Sequence, residues 1–492
     1  MGGSPHTVSI HILDSDSLLN IFYLYRPAVF DGDECYVDRI TGGRVWHREQ
    51  WWYKLAHVCQ RWRNVLFGSA SHLDLCLVCT YGTPVADMLA HSPLLPLVMD
   101  YFSRDWEITA EDEEGIILAL EQHDRLRRVR FLMPAPKLQK LIAAVDGECP
   151  VLEYLILYPS RRIDNSTALM FPETFQAPHL RHLMLKGFSL TTVSQLLTNA
   201  TDIVTLCLRV NHRDTYFQPN TLLRWISFMP QLETLEIRFL FPVPNHDVER
   251  QLIHTPTTPP LTLPNLRFLV LKGGSAYVEA IVRRITTPRL RKLDIWLFNQ
   301  LTFSVPCLQQ FMNTAANLRF DSAKFVFRKD KVHAGLYLRE EIEVAEIKMI
   351  PLLIIVHCYH LDWQVSSVAQ IFNSLGQLFS TVEHLTLEHR IHSQSSEVHN
   401  EVDRTEWRKL FTTFSKVKTL RVSSGLVQEV SHSLRPEDGE VASELLPELQ
   451  SLTHSGSNIA FTPFLDARQN AGRPVTLVHP NLRPVTPEIF AW

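Results

Sequence analysis

The sequence predicts an α/β solenoid, in which short parallel strands stack side by side with a helix behind most of them, preceded by a small helical domain. Three observations lead there. A six-residue unit, apolar-x-x-apolar-x-apolar, recurs through the chain after residue 120. Its second half alternates as a half-buried strand does, and a helical apolar pattern follows most copies. The composition fits: 492 residues with 48 basic and 52 acidic groups, 45% hydrophobic and 20% charged, describe a folded chain with a sizeable core. A net charge of −4 excludes a globally basic nucleic-acid binder.

The first element is a helix. Ser15 or Asp14 can cap it, Leu18, Ile21, Phe22 and Tyr25 fall at i, i+3, i+4 and i+7, and Pro27 stops it. A polar insertion at about 27–48, containing Gly32, Gly42 and Gly43, separates it from a second helix striped by Leu55, Val58, Cys59, Trp62 and Leu66. These helices, within residues 10–67, bury little core alone and need the solenoid, a partner or both to cover them. Residues 68–125 read as a transition segment that caps the stack.

The repeats occupy 126–480, before a tail at 481–492. Units open at Leu126, Leu152, Leu180, Ile203, Leu232, Leu266 and Leu290, with a degenerate eighth at Leu318 and later copies at Val382, Val417 and Leu449. Intervals of 23 to 34 residues up to Leu318 lie around the leucine-rich-repeat period. Pro150, Pro178, Pro230, Pro264 and Pro288 stand just ahead of units and end the preceding segment by removing a backbone donor. Helices are expected in TVSQLLTNA, NTLLRWISF, AYVEAIVRRI, VPCLQQFMNTAA, VSSVAQIFNSLGQL and RTEWRKLFTTF. The apolar run Leu352 to Val356 suggests one divergent repeat between Leu318 and Val382, while 241–264 and 391–403 read as loops. One strand and one helix cannot bury their own apolar face, but stacked copies share a continuous core.

The N-terminal segments resemble an F-box. ILDSDSLLNIFYLY stands where that motif has Leu-Pro-x-Glu-x-Leu-x-x-Ile-Phe, with Asp14 at the Pro position and Asp16 at the Glu position, and KLAHVCQRWRNVLF matches its Val-Cys-x-x-Trp-Arg end. With leucine-rich repeats behind it, the chain is similar to fungal F-box proteins in which an inserted, divergent F-box precedes an irregular repeat domain. That resemblance implies a substrate receptor of a cullin–RING ubiquitin ligase, with no catalysis of its own. Leu13, Leu18, Ile21, Phe22, Val58, Cys59, Trp62 and Arg63 would then build the face toward the Skp-type adaptor, some of them packing internally. The alternative is a repeat scaffold or inhibitor that binds a protein without any ligase.

Strand alternation marks the positions between the core leucines as one continuous surface, and that surface is rich in cations. Lys186, Arg209, Arg238 and Lys272 follow the last core residue of four consecutive units, with Arg128, Arg130, Lys292, Lys324 and Arg328 nearby and Glu236 and Asp294 as acidic exceptions. A row of like charges on adjacent strands is destabilising, so something compensates it. Either water and salt screen a solvated face, or an acidic or phosphorylated segment of a protein substrate lies across Lys186, Arg209, Arg238, Lys272, Lys292 and Arg328.

No cofactor or metal is expected. Cys76 and Cys79 sit in the apolar run LDLCLVC and read as buried strand residues, and His357, Cys358 and His360 form a compact cluster whose ligand types suit a soft metal but whose spacing alone favours histidines satisfied within the fold. Trp51 and Trp52 read as packing residues. No Gly-x-Ser-x-Gly elbow, His-Glu-x-x-His or phosphate-cradling Gly-rich loop occurs, so no enzyme is expected. The opening MGGSPHTVSIHILDSD lacks the pattern of a secretory signal, and no run of 18 apolar residues follows; with eight irregularly spaced cysteines, the expectation is a reduced cytoplasmic or nuclear protein that meets neither membrane nor nucleic acid.

Overall fold

The computed structural model describes residues 13–26, 51–102, 107–160, 168–211, 216–242, 260–315, 317–339, 350–390, 404–435, 445–454 and 458–478. The insertion at 27–48, loop residues 243–259 and 391–403 and the tail at 481–492 lie outside them. The chain divides into two compact units, Met1–Leu206 and Cys207–Trp492. Each is a stack of strand and helix repeats, the α/β leucine-rich-repeat architecture of a solenoid.

In the first unit, helix Ser15–Tyr25 begins at Asp14, whose side chain accepts the amide of Ser17 at 2.7 Å. The expected second helix is two pieces, Tyr53–Ala56 and Gln60–Gly68, because Cys59 is extended (φ −162°, ψ 169°). The break is held from the side: Arg63 Nε donates to the Ala56 carbonyl at 3.1 Å, satisfying an acceptor that a continuous helix would have paired.

Strands β1 (Leu77–Cys79), β2 (Leu97–Tyr101), β3 (Leu126–Met133), β4 (Tyr154–Pro159) and β5 (His182–Lys186) follow in parallel, in chain order. Residues 68–125, expected as a cap, thus carry two further strands, with helices Val85–His91 and Ala110–Leu120 after them. Those helices approach closely at Gly115, where a Cβ would stand 3.0 Å from that of Val85. A register shift between Leu97 and Val98 leaves Arg127 without a partner on β2, a bulge that re-aims its side chain. Arg127 pairs with Asp74 and, at 3.1 Å, with Glu153, while Asp74 also takes Arg26 at 2.9 Å. This chain of ions ties the end of the first helix to the repeats.

Unit two begins within β6 (Thr205–Val210) and continues through β7 (Thr234–Phe239), the short β8 (Leu261–Thr262), β9 (Phe268–Gly273), β10 (Ile285–Thr286) and β11 (Lys292–Leu297). It ends through β12 (Ser322–Phe327), β13 (Val332–Tyr337), β14 (Leu352–Val356), β15 (His384–His389), β16 (Thr419–Val422), β17 (Ser451–His454) and β18 (Thr476–Val478). From β7 the sheet order is β7-β9-β11-β14-β13-β12-β15-β16-β17-β18, while β8 and β10 pair separately. The degenerate unit at Leu318 is therefore not the neighbour of the one at Leu290. Arg328 donates to the Lys331 carbonyl at 2.9 Å and closes β12 and β13 into an antiparallel hairpin, and β14 lies between that hairpin and β11. LLIIV suits the inner place because both its faces are covered: Leu353 and Ile355 form an apolar cluster with Val326 and Ile350, against which Trp296 packs.

Along the regular strands Leu235, Ile237 and Phe239, or Leu269, Leu271 and Gly273, turn to the buried face, and residues between them turn the other way. Neighbouring repeats are joined behind the sheet as well. Glu279, in helix Ser275–Val282, is 1% exposed and accepts the amides of Cys307 and Leu308 at 2.7 and 2.9 Å, capping helix Pro306–Thr314 from the preceding repeat. Glu279→Ala should cost about 2–3 kcal/mol, read from the midpoint of urea unfolding, because it strands buried donors at a helix N-terminus. An unchanged midpoint would show that these amides find other acceptors.

Candidate functional site

The candidate residues lie on two kinds of surface, the N-terminal helices of the first unit and the sheet face of each unit away from the leucines. In the first unit the eight residues of the N-terminal motif divide by burial. Leu18 and Phe22 are fully buried, Phe22 meeting the half-buried Trp62 edge-on at 5.0 Å, so their area is spent on the chain's own packing. Leu13 is half-buried and its carbonyl accepts from the Arg61 guanidinium; Cys59 is half-buried at the helix break, and Arg63 is exposed. Ile21 and Val58 face solvent at 42% and 55% exposure. Leu24 and Tyr25, 83% and 53% exposed, extend the Ile21 face at helical spacing. On a different side of the first helix, an open cleft of about 590 Å³ is lined by Asp16, Leu19, Arg61, Asn64 and Val65 among others. Trp52 is buried, its indole N–H donating to the Cys76 carbonyl at 3.2 Å, and Trp51 faces Tyr25 at 6.2 Å, both packing contacts.

The second surface is the sheet face away from the leucines. In the first unit Arg130 pairs with Asp100 at 2.9 Å, and Arg128 lies 4.5 Å over Tyr154, which stacks on His182 at 4.1 Å. Lys186 ends β5, half-buried. In the second unit register aligns Glu236, Val270, Asp294, Leu353, Gly335 and Lys324 in one row and Arg238, Lys272, Trp296, Ile355, His333 and Val326 in the next.

The like charges expected in these rows meet carboxylates supplied by the chain itself. Glu236 accepts from Arg209 at 2.8 Å and pairs with Arg238 at 3.0 Å. Burial would raise its carboxyl, but the two guanidiniums more than offset this and hold it below its ordinary range. Asp294 has Lys292 at 3.3 Å, and there burial wins and the carboxyl is pushed up. Glu388 takes Lys324 at 2.6 Å and Arg390 at 3.1 Å. Arg328 begins the hairpin turn and is half-buried. Lys272 stands apart: among the described residues it has no ion-pair partner, and burial together with Arg238 and Lys331 pushes it down to about 8. Charge type was visible in the sequence, but which acid meets which base depends on register between distant repeats.

The thiols offer little chemistry. Cys76, Cys79, Cys149, Cys207 and Cys358 are buried, and burial pushes Cys79, Cys149, Cys207 and Cys358 up to about 12, where thiolate is scarce. Among the described residues no three His, Cys, Asp or Glu side chains converge as metal ligands.

Replacing Glu236 by Gln leaves Arg209 and Arg238 facing each other beside a neutral amide. Glu236→Gln should cost about 3 kcal/mol in urea unfolding at pH 7. Because the folded carboxyl titrates below its unfolded value, its contribution is complete above about pH 4.3 and is lost as pH falls through the depressed value. The difference between parent and variant should therefore shrink on acidification, and a difference that grew would refute the pairing.

No family model matches the chain, and no curated protein matches it. Among solved structures, the leucine-rich repeat-containing protein LegL7 from Legionella pneumophila is 12% identical and aligns over 82% of this chain and 99% of its own, with a TM-score of 0.25. A chain of the Rad7 and Elc1 complex from yeast is 11% identical over 78% of this chain and 74% of its own, with a TM-score of 0.26.

Proposed function

We propose that the chain is the substrate-recognition subunit of a cullin–RING ubiquitin ligase, taking a Skp-type adaptor on its N-terminal helices and a protein substrate on its repeat sheet. The observation that carries this reading is the set of exposed apolar side chains, Ile21, Leu24 and Tyr25 on the first helix and Val58 in the turn ahead of Gln60–Gly68, around an interior already filled by Leu18, Phe22 and Trp62. Such an area next to a solvated surface calls for a cover. Asp14, which departs from the F-box pattern, is compatible with it, since its side chain starts the helix. The chain itself performs no covalent chemistry, and the reading assigns it to the cytoplasm or nucleus.

Co-purification of the full chain with a Skp-type adaptor tests this directly. Ile21→Glu with Val58→Glu should weaken adaptor capture by about 100-fold or more, since each side chain contributes about 1.5–3 kcal/mol when fully covered. The melting temperature should barely move, because both residues are exposed. Equal capture by parent and variant would overturn the assignment of Ile21 and Val58 to the adaptor face, and capture by neither would leave a repeat scaffold without a ligase. In a reconstituted reaction ubiquitin transfer should require the partners, and a ubiquitin thioester on Cys59 or Cys207 would overturn the receptor reading.

A further inference from the structure

Charge is unevenly spread along the chain. Residues 260 to 320 carry eight basic groups and two acids, whereas the net charge of the whole is −4. Both acids are committed: Glu279 is buried and holds the amides of Cys307 and Leu308, and Asp294 pairs with Lys292 on the sheet face. Lys272 lies on that face as well. What remains is arginine alone, Arg267, Arg283, Arg284, Arg289, Arg291 and Arg319. On the sheet face neighbouring strands supply carboxylates to most cations, and here they do not. Among the described residues Arg283, Arg289, Arg291 and Arg319 make no ion pair, and Arg267 has only Glu233, at 3.9 Å with both side chains 40% exposed.

These arginines share one edge of the second unit, where its strands begin. Arg267 precedes β9 and Arg291 precedes β11, and register sets Phe268 against Lys292, so the two stand one strand spacing apart, about 4.8 Å. β10 brings Arg283 and Arg284 to the same place: Leu261 donates to the Arg284 carbonyl at 2.7 Å and Leu263 to that of Thr286 at 2.9 Å, just ahead of β9. Burial and the neighbouring Arg283 lower Arg284 from its ordinary value. Side-chain amides lace the edge. Asn265 Nδ2 donates to the Pro230 carbonyl at 3.2 Å, Arg289 to Asn265 Oδ1 at 3.4 Å, and Asn317 Nδ2 to the Pro288 carbonyl at 3.1 Å. Asn317, and with it Arg319 two residues on, is thereby tied to the turn that carries Arg289 and Arg291. The C-terminal dipole of helix Ser275–Val282 accounts for Arg283 and Arg284, but Arg267, Arg289, Arg291 and Arg319 stand at strand starts.

The kind of partner follows from what this edge has and lacks. A protein docks through large apolar anchors ringed by polar groups, and among the described residues 264–267, 283–291 and 317–319 no large apolar side chain is exposed. A nucleic acid needs no such anchor. Its affinity comes from a regular row of phosphates, each of which a guanidinium meets with two parallel donors. The amides that could read bases are spent on the lacing, which confines recognition to the backbone. The expectation that the chain meets no nucleic acid rests on its overall charge, which this edge does not share.

We propose that Arg267, Arg289, Arg291 and Arg319 form a binding edge for the phosphate backbone of a nucleic acid, without sequence preference. The edge shares no residue with the adaptor helices or the sheet face, and it would give the chain a second class of partner.

The test follows the fluorescence anisotropy of a labelled DNA duplex, a second duplex of unrelated sequence, a single-stranded RNA of the same length and labelled polyglutamate, each titrated with the full chain. The two duplexes should bind alike, with affinity falling with salt on a log–log slope of about −3 to −4, as four contacts require. Arg289→Glu with Arg291→Glu should weaken binding at least about tenfold and flatten that slope by about 2, while Arg289→Lys with Arg291→Lys should keep the slope. Neither double variant should shift the melting temperature, because both residues are exposed and hold no ion pair. Binding of duplex or RNA with this arginine dependence supports the proposal, and their ratio assigns double or single strands. No binding of either, binding that survives the Glu variant, unequal binding of the two duplexes, or polyglutamate bound as tightly as nucleic acid would each overturn it, the last in favour of an acidic protein. Adaptor capture by the Arg289 and Arg291 variant should equal that of the parent, as should nucleic-acid binding by the Ile21 and Val58 variant, so this proposal and the receptor reading fail separately.

Discussion

The arrangement of each unit depends on a small backbone device. The second residue of a repeat offers its carbonyl to two successive amides of the next one. Glu153 accepts from Arg181 and His182, both at 2.9 Å; Glu233 accepts from Arg267 and Phe268 at 2.8 and 3.0 Å, and Arg267 from Arg291 and Lys292 at 2.8 and 3.0 Å. The same fork recurs at Asp321, Glu383 and Lys418. Since side chains alternate with a period of two, a slip of one residue would exchange the leucine face for the charged one. The fork prevents it. Once register is fixed, leucines pile on leucines, and ionisable groups between them are also forced into rows. Glu236, Asp294 and Glu388 are the electrostatic counterpart of that geometric constraint.

Much of the stack is legible in the chain. The unit's leucines, the helices after Leu180, Ile203, Leu266 and Leu290, and the strand at Leu352–Val356 are local patterns, and local patterns survive in one dimension. What escapes depends on partners far along the sequence. β1 and β2 are short, wholly buried runs without the spaced unit that marks the later repeats. β13, VHAGLY, has no signature at all; its place comes from the turn before it and from apolar cover on both faces of β14. The helix break at Cys59 depends on Arg63 reaching back to Ala56, a contact that periodicity cannot express.

The candidate surfaces follow the same division. Helical spacing puts Leu18, Ile21 and Phe22 near one stripe, yet only the position of Trp62 decides which of them are consumed inside and which remain outside. Alternation likewise places cations on one sheet face, but it takes the carboxylates of neighbouring strands to separate Arg209 and Arg238, which hold an ion pair, from Lys272, which among the described residues holds none. A charged residue becomes informative about binding only after its internal partners are known.

The inverted order of β14, β13 and β12 has a consequence for how the second unit comes into being. In an array of plain repeats each new strand, as it leaves the ribosome or collapses from the unfolded chain, finds its place on the strand made just before it. After β11 that rule fails: the next segment made is β12, yet the edge of β11 is completed by β14. β12 and β13 can join the sheet on β11 only once Leu352–Val356 exists, and β15 then continues it from β12. Growth of the sheet therefore pauses once and resumes three strands later as a block. β12, β13 and β14 thus form one block, and the exchange of single repeats that lengthens or shortens simpler arrays has no admissible breakpoint between these three strands.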